Sequence, residues 1–225
     1  MSRIEFELPE IPETWSWLKV SDVVERVPNV KPELEPDRSF RYIDISSIDN
    51  QAHRVTATKE IMGKDAPSRA RRPVKPGDVL LSNVRVNLRN TALLENDFAD
   101  VCSTGFTVLR PNEKILPSYL FRYVLSDHFV KPLEELQTGT QYPATSDRVV
   151  FGQPIPVPPI RVQAGLISAL DSLDEKLNSA RNRLATISVL LKKFRQSVLS
   201  AACSGQLTAD WRQKHSHSRL TPSFA

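Results

Sequence analysis

The residues in this sequence that could most readily take part in catalysis are a few carboxylates beside a lysine. Asp37 follows Pro36, and Asp174, Glu175 and Lys176 are consecutive. Carboxylates with a nearby lysine can hold Mg²⁺ and activate water for phosphodiester cleavage. However, Asp174 and Lys176 lie within a long helical pattern and no β-hairpin surrounds them. The sequence therefore disfavours a nuclease centre here.

Other catalytic signatures are missing from the sequence. The seven glycines are scattered and form no phosphate-binding loop. No nucleophile elbow or methyltransferase motif is present. The cysteines and histidines lack metal-ligand spacing, and they are Cys102, Cys203, His53, His128, His215 and His217. We predict a binding protein without catalytic residues, metal or cofactor, and a stand-alone endonuclease is the enzymatic alternative.

Basic residues are concentrated between positions 64 and 90. The segment contains seven basic residues and only two acidic ones, Asp65 and Asp78. Its net charge of +5 exceeds the +4 of the whole chain. The basic residues are Lys64, Arg69, Arg71, Arg72, Lys75, Arg85 and Arg89. Arginine presents forked donors to phosphates and guanine, and asparagine can pair with adenine. We predict phosphate contacts from Arg69, Arg71 and Arg72, and base or phosphate contacts from Arg85, Asn87 and Arg89. A solvated surface is the alternative.

A second polar segment spans residues 137–146. It offers amide and hydroxyl groups, and Gly139 permits a tight turn. We predict DNA contacts from Gln137, Thr140 and Gln141, while a simple connection between elements is the alternative.

The elements before residue 160 are short and mixed. Strand patterns cover 40–48, 79–81 and 106–109, and the second follows a turn at Pro76-Gly77-Asp78. Apolar residues at helical spacing predict a helix over 117–130. The sequence thus predicts an α+β fold, with one mixed α/β domain over residues 1–160. The proline-rich stretch 154–159 favours a stiff extended linker, and a ligand for an aromatic groove is the alternative.

Residues 161–203 show a heptad pattern typical of a coiled coil. Apolar residues recur at alternating steps of four and three over five heptads. This seam consists of Leu166, Leu170, Leu173, Leu177, Ala180, Leu184, Ile187, Leu191, Phe194, Val198 and Ala201. A helix of this length measures roughly 60 Å, and it cannot bury a narrow seam by itself. We predict pairing with another helix; packing on its own domain is the alternative. Ser204-Gly205 should end the helix, and 204–225 reads as a polar tail.

The composition predicts a cytoplasmic protein. Two distant cysteines suggest free thiols in a reducing compartment. The N-terminal residues lack a signal-peptide pattern, and no apolar run is long enough to span a membrane.

Several segments, in order along the chain, carry a family resemblance. They are 8–23 with Trp15 and Trp17, 77–85, 103–111, 154–160 followed by Gln163 and Ile167, and 194–212. As an ordered set they resemble half of the specificity (S) subunit of type I DNA restriction–modification systems, with one target-recognition domain and one conserved coiled-coil helix. Val162 departs from the acidic residue usual in the family before Gln163, which would weaken a local cap.

The resemblance implies a function and partners. Residues 1–160 would read one half of a split double-stranded DNA site in the major groove. The helix over 161–203 would set the spacing and dock modification (methyltransferase) subunits, while a separate restriction subunit cuts. The family commonly has two recognition domains and two helices. A natural half subunit, a truncated gene product and a fragment therefore stay open, as does pairing of two copies through antiparallel helices. The alternatives are a restriction-type endonuclease acting alone and a coiled-coil adaptor without DNA binding.

Overall fold

A computed structural model describes residues 8–137 and 143–215. The described strands are Ser16–Lys19 (β1), Val24–Glu25 (β2), Ser39–Ile43 (β3), Ile48–Asp49 (β4), Arg54–Val55 (β5), Lys59–Met62 (β6), Ala70–Pro73 (β7), Val79–Ser82 (β8), Thr91–Leu93 (β9), Val101–Ser103 (β10), Phe106–Pro111 (β11) and Pro154–Val157 (β12). The described α-helices are Pro117–Val124 (α1), Asp127–Glu135 (α2), Asp147–Phe151 (α3), Ile160–Cys203 (α4) and Ala209–Lys214 (α5). Mixed strands and helices followed by a long helix confirm the predicted fold class. Two compact units divide between Ser168 and Ala169.

An antiparallel sheet in the order β2-β11-β8-β9 separates two apolar cores of the first unit. Val79 and Leu81 of β8 pack with residues of α1 and α2, such as Leu120 and Phe129. Leu80, between them, packs into the other core with Phe106 and other residues. Side chains alternate across a strand, so this short apolar run fills both cores.

A second sheet covers the far side of the Leu80 core. Its order is β6-β3-β10-β7, and only the β3–β10 pair is parallel. Ile43 of β3 and Cys102 of β10 face the Leu80 core, whereas Phe40 and Tyr42 face a smaller one. Burial raises the pKa of the Cys102 thiol, which keeps that thiol protonated and unreactive.

The structure confirms some of the predicted elements and shortens others. Strands 79–81 and 106–109 are present in β8 and β11, and Gly77 adopts φ +90° in the predicted turn. The strand expected over 40–48 ends at Ile43, because Asp44 caps a 3₁₀ turn at Ile45–Ser47.

The single helix predicted over 117–130 is wrong, since the segment forms two helices. Helix α1 ends at Val124, and α2 starts at Asp127 with Ser126 at its N-cap position. The amide of Val130 donates to the Ser126 carbonyl. Ser126-Asp127 is a helix-start signal, and here it outweighs the continuous apolar periodicity.

The proline-rich stretch forms part of a sheet, so the prediction of a linker is wrong. Strand β12 pairs antiparallel with β1, with Ser16 opposite Val157 and Lys19 opposite Pro154. The carbonyls of Pro156 and Pro154 point away from β1. They accept hydrogen bonds from the Tyr119 and Tyr123 hydroxyls, at 2.9 and 3.2 Å. In a strand the N–H and C=O of one residue point to the same side. Both prolines therefore stand where no N–H is needed for pairing.

Helix α4 is anchored at its start by Gln163, and it ends before Gly205 as the sequence predicts. Gln163, in the first turns, is completely buried. In the second unit the helix ends at Cys203, and Gly205 follows with φ +71°. The segment expected to be only a polar tail contains a 3₁₀ turn at Gln206–Thr208 and helix α5. Within the part of the chain that the structure describes, no helix is long and apolar enough to cross a membrane.

Candidate nucleic-acid interface

The loop between β8 and β9 contains three of the predicted contact residues and has a constrained backbone. Arg85 and Arg89 adopt φ +49° and +51°, on either side of a 3₁₀ turn at Val86–Leu88. Such left-handed backbone is unfavourable for side chains other than glycine and persists only where neighbouring contacts enforce it. Val86 is buried beneath the loop, whereas Asn87 is exposed.

The side chain of Arg89 holds this loop against the junction between α1 and α2. The Arg89 guanidinium donates to the Leu125 carbonyl at 2.9 Å and pairs with Asp127 at the start of α2. Arg89 holds the pKa of the Asp127 carboxyl below its usual range. Arg89 thus fixes the loop to the α1–α2 junction, a role that sequence reasoning did not assign to it.

The β4–β5 hairpin supplies two further contacts to the loop. Asn50 Nδ2 donates to the Leu88 carbonyl at 3.1 Å. His53 Nδ1 lies 3.2 Å from the Arg89 carbonyl, so an Nδ1–H donates there. Burial lowers the pKa of His53, which favours this neutral imidazole. His53 itself has φ +50°.

The two polar segments that the sequence pointed to lie side by side. The Arg85 amide donates to the Pro143 carbonyl at 2.9 Å, and the Thr145 amide donates to the Asn83 carbonyl at 2.8 Å. Val84 and Ala144 form an antiparallel bridge between these bonds. Gln137 lies just after α2. Thr140 and Gln141, the other predicted contacts of this segment, lie outside the described residues.

A polar network beneath these loops was missed by the sequence reasoning. The hydroxyl of Thr107, which is completely buried, lies 2.7 Å from Asn83 Oδ1 and 2.6 Å from Asp147 Oδ1. Asn83 Nδ2 donates to the same carboxylate oxygen, and Arg72 Nη2 lies 2.6 Å from the other. The sequence separation of these residues gives no local signal. Together they tie β8, β11, β7 and α3 to the base of the loops.

In the folded structure, acidic residues from other segments offset part of the positive charge of residues 64–90. Arg71 pairs with Glu33 at 2.9 Å, Arg72 with Asp147, and Arg89 with Asp127. All three acids lie outside residues 64–90, so the local charge count did not include them. Only 16% of the Arg72 side chain is exposed, and Arg72 serves the polar network. Arg69 is exposed, and its carbonyl accepts from the Thr104 amide.

The carboxylates and the lysine of the nuclease alternative belong to two different units of the chain. Asp174, Glu175 and Lys176 lie on the continuous helix α4, and Asp37 lies in a turn before β3. Within residues 8–137 and 143–215, no three His, Cys, Asp or Glu side chains are grouped so that they could hold a metal ion.

The helical seam is largely exposed in the described chain. Exposure ranges from 41% at Leu170 to 66% at Phe194 among its large apolar side chains. The exposed members are Leu170, Leu173, Leu177, Leu184, Ile187, Leu191, Phe194 and Val198. Leu166 differs, because it packs against the core that contains Leu120. Its contacts within the first unit make it a poorer candidate for helix pairing than the other seam residues.

Comparisons with known proteins agree on one family. A model of the type I restriction modification DNA specificity domain matches residues 12–188. The EcoDI specificity subunit of Escherichia coli is 23% identical over 93% of this chain and 46% of its own length. The StySPI specificity subunit of Salmonella potsdam is 27% identical over 92% of this chain and 46% of its own length.

Solved structures agree with these sequence relatives. The HsdS subunit of Thermoanaerobacter tengcongensis superposes with a TM-score of 0.73 at 34% identity, covering 78% of this chain and 46% of that one. A chain from a structure on complex assembly and conformational transition of the type I R-M system gives 0.73 at 29% identity, covering 97% and 53%. The present chain spans about half the length of the relatives it matches.

Proposed function

The chain belongs to the family of type I restriction modification DNA specificity domains, as its sequence indicated, and we propose that it binds double-stranded DNA sequence-specifically as the specificity component of a type I restriction–modification complex. It reads one half of a bipartite site and directs the modification and restriction subunits to it. It contributes no catalytic residue of its own. A DNA-binding role of this kind supports a cytoplasmic location.

The observation that carries this proposal is the joined pair of polar loops. The loop at 83–90 is connected to Pro143 and Ala144 and clamped by Arg89, Asn50 and His53. A rigid scaffold that presents polar loops suits direct reading of base edges, since contacts must keep a fixed register. Asn87 and Arg85 are both exposed on this loop.

The predicted DNA contacts take different roles within this proposal. Arg69 holds phosphates, whereas Arg85, Asn87, Gln137, Thr140 and Gln141 approach bases or phosphates. Arg71, Arg72 and Arg89 act mainly by holding the loops and sheets in position, because each pairs with a carboxylate. These three pairs offset three of the five excess positive charges of residues 64–90, so the loops contribute specificity more than affinity.

The long helix serves assembly in this proposal. Residues 1–160 form the target-recognition domain, 161–203 space the half-sites and dock modification subunits, and 204–225 form a tail. Exposed leucines along α4 support a helical partner, since an apolar seam of this length gains stability only when covered. A second copy of the chain, paired antiparallel, would provide the other half-site.

Selection from a library of random duplexes tests the proposal in vitro. The purified chain, with modification subunit present, should enrich one sequence. Arg69→Ala should weaken binding to all sequences equally and make the salt slope shallower by about one unit, whereas Asn87→Ala should reduce discrimination at one base. Lys114→Ala, another exposed basic residue, is the matched control. Enrichment of no sequence would contradict the proposal.

A further inference from the structure

A cleft in the first unit carries more positive charge than the loops described above. It has a volume of about 490 Å³, and its polar lining consists of Lys19, Ser21, Arg26, Arg72, Asp147 and Arg148. Four elements contribute: Lys19 ends β1, Arg26 follows β2, Arg72 lies on β7 and Arg148 on α3. Four cations therefore converge on a cleft that contains one carboxylate.

The single carboxylate of the cleft is already engaged. Asp147 pairs with Arg72 through one oxygen, and through the other it accepts hydrogen bonds from Asn83 and Thr107. Lys19, Arg26 and Arg148 are exposed. No acidic side chain within residues 8–137 and 143–215 forms an ion pair with any of these three. Like charges brought together repel one another, so the cleft favours an anion.

Arg72 is the least exposed of the four cations that line the cleft. Its Nε is buried, and it has no hydrogen-bond partner among the described residues. A buried guanidinium N–H without an acceptor is unfavourable. Arg72 is also a lining residue of the cleft, so an anion there meets the charge of its guanidinium, although the buried Nε itself is inaccessible to solvent.

We propose that this cleft binds backbone phosphates of the DNA whose bases the loops read. The inference rests on the proposed function and deepens it. The cleft adjoins the loops, because Asp147 lines the cleft and also bonds to Asn83, where the loop at 83–90 begins. In this proposal a duplex engaged at the loops continues to the cleft, where its backbone meets the three cations. This continuity favours DNA over an acidic protein segment as the anion.

The cleft explains how a domain with well-paired arginines at its loops could hold DNA. Phosphate contacts dominate affinity and are independent of sequence, whereas base contacts supply discrimination. Lys19, Arg26 and Arg148 provide the phosphate contacts that give affinity. The exposed side chains of the loops provide the base contacts that give discrimination. None of the three lies in the basic segment 64–90, so the local charge count could not find them.

A charge-neutralised variant of the full chain tests the inference. Lys19→Gln, Arg26→Gln and Arg148→Gln are combined, and affinity for a mixed-sequence duplex and for the selected duplex is measured against salt. Each phosphate contact contributes about 0.9 to the slope, so the loss of three should make it shallower by about 2.7. Wild-type affinity should then fall about 40-fold more than variant affinity between 50 and 200 mM salt. Both duplexes should be affected equally.

A control with the same change in charge separates the cleft from general electrostatics. Lys31→Gln, Lys114→Gln and Arg161→Gln alter three other exposed cations of the chain, and circular dichroism checks that both triple variants are folded. A cleft variant whose salt slope matches that of this control overturns the inference while the proposed function stands. Loss of polyglutamate binding with retained DNA binding also overturns it, since the anion would then be an acidic protein. All these measurements are made with modification subunit present, and a wild-type chain that then binds no duplex overturns the proposed function itself.

Discussion

Replacement of Gln163 tests how the long helix is anchored to the recognition domain. The side chain is completely buried and makes three hydrogen bonds to main-chain groups. Its Oε1 accepts from the Leu116 amide at 2.8 Å, and its Nε2 donates to the carbonyls of Lys114 and Pro158 at 2.9 and 2.8 Å. Both the oxygen and the nitrogen of the Gln163 amide are thus used to join the first turns of α4 to the segment before α1.

The magnitude follows from these three bonds. A buried hydrogen bond contributes about 0.5–1.5 kcal/mol net, and a stranded partner costs about 1–3 kcal/mol. Gln163→Ala leaves three main-chain groups stranded, so we expect a loss of about 3 kcal/mol in the free energy of unfolding. For a chain of this length that corresponds to a decrease in Tm of roughly 6–12 °C. Gln163→Leu keeps the volume and should lower the free energy of unfolding as much, because leucine also has no polar atoms to bond the three main-chain groups.

Urea unfolding followed by tryptophan fluorescence measures the effect, since Trp15 and Trp17 report on the first unit. Gln51→Ala, at an exposed position, is the matched control and should change stability by less than about 0.5 kcal/mol. If Gln163→Ala behaved like this control, the anchoring role would be wrong. Full recovery by Gln163→Leu would show that lost volume, and not lost hydrogen bonds, caused the effect.

Three further predictions concern stability and assembly. Asp78→Asn should cost about 3–5 kcal/mol in urea unfolding, because the buried Asp78 carboxylate accepts two 2.8 Å bonds from Arg110; a cost below about 1 kcal/mol would contradict this. Burial lowers the pKa of His53 from 6.5, so the unfolded chain takes up the proton first as pH falls. The free energy of unfolding should therefore decline below about pH 6.5. The variant His53→Asn should lose that part of the decline, because asparagine tolerates the left-handed backbone at this position. An unchanged pH profile of the variant would refute this role of His53. Leu177→Asp on the exposed seam should abolish helix pairing in light scattering, whereas the neighbouring Asn178→Asp should not; a wild-type chain that stays monomeric even with modification subunit would contradict the pairing itself.

Patterns that depend on neighbouring residues could be read from the sequence. Strands β8 and β11, the turn at Gly77 and the helix ending before Gly205 all follow from local periodicity and backbone preference. The family also emerged from ordered segments, and the comparisons confirm it. In each case the signal and the structure involve the same stretch of chain.

Features that depend on distant partners could not be read in this way. The prolines of β12 looked like a linker, because the sequence does not show that their carbonyls meet Tyr119 and Tyr123. The basic segment looked strongly charged, because Glu33, Asp127 and Asp147 approach it only in the fold. The cleft around Arg148 likewise combines residues from four separate elements.

The most direct test of the central claim is methylome mapping in cells that carry the modification subunits, with and without this chain. The proposal predicts a methylated bipartite sequence that is present only with the chain, and its symmetry would report whether two copies act together. An identical methylome in both strains would contradict the claim that this chain selects the DNA site.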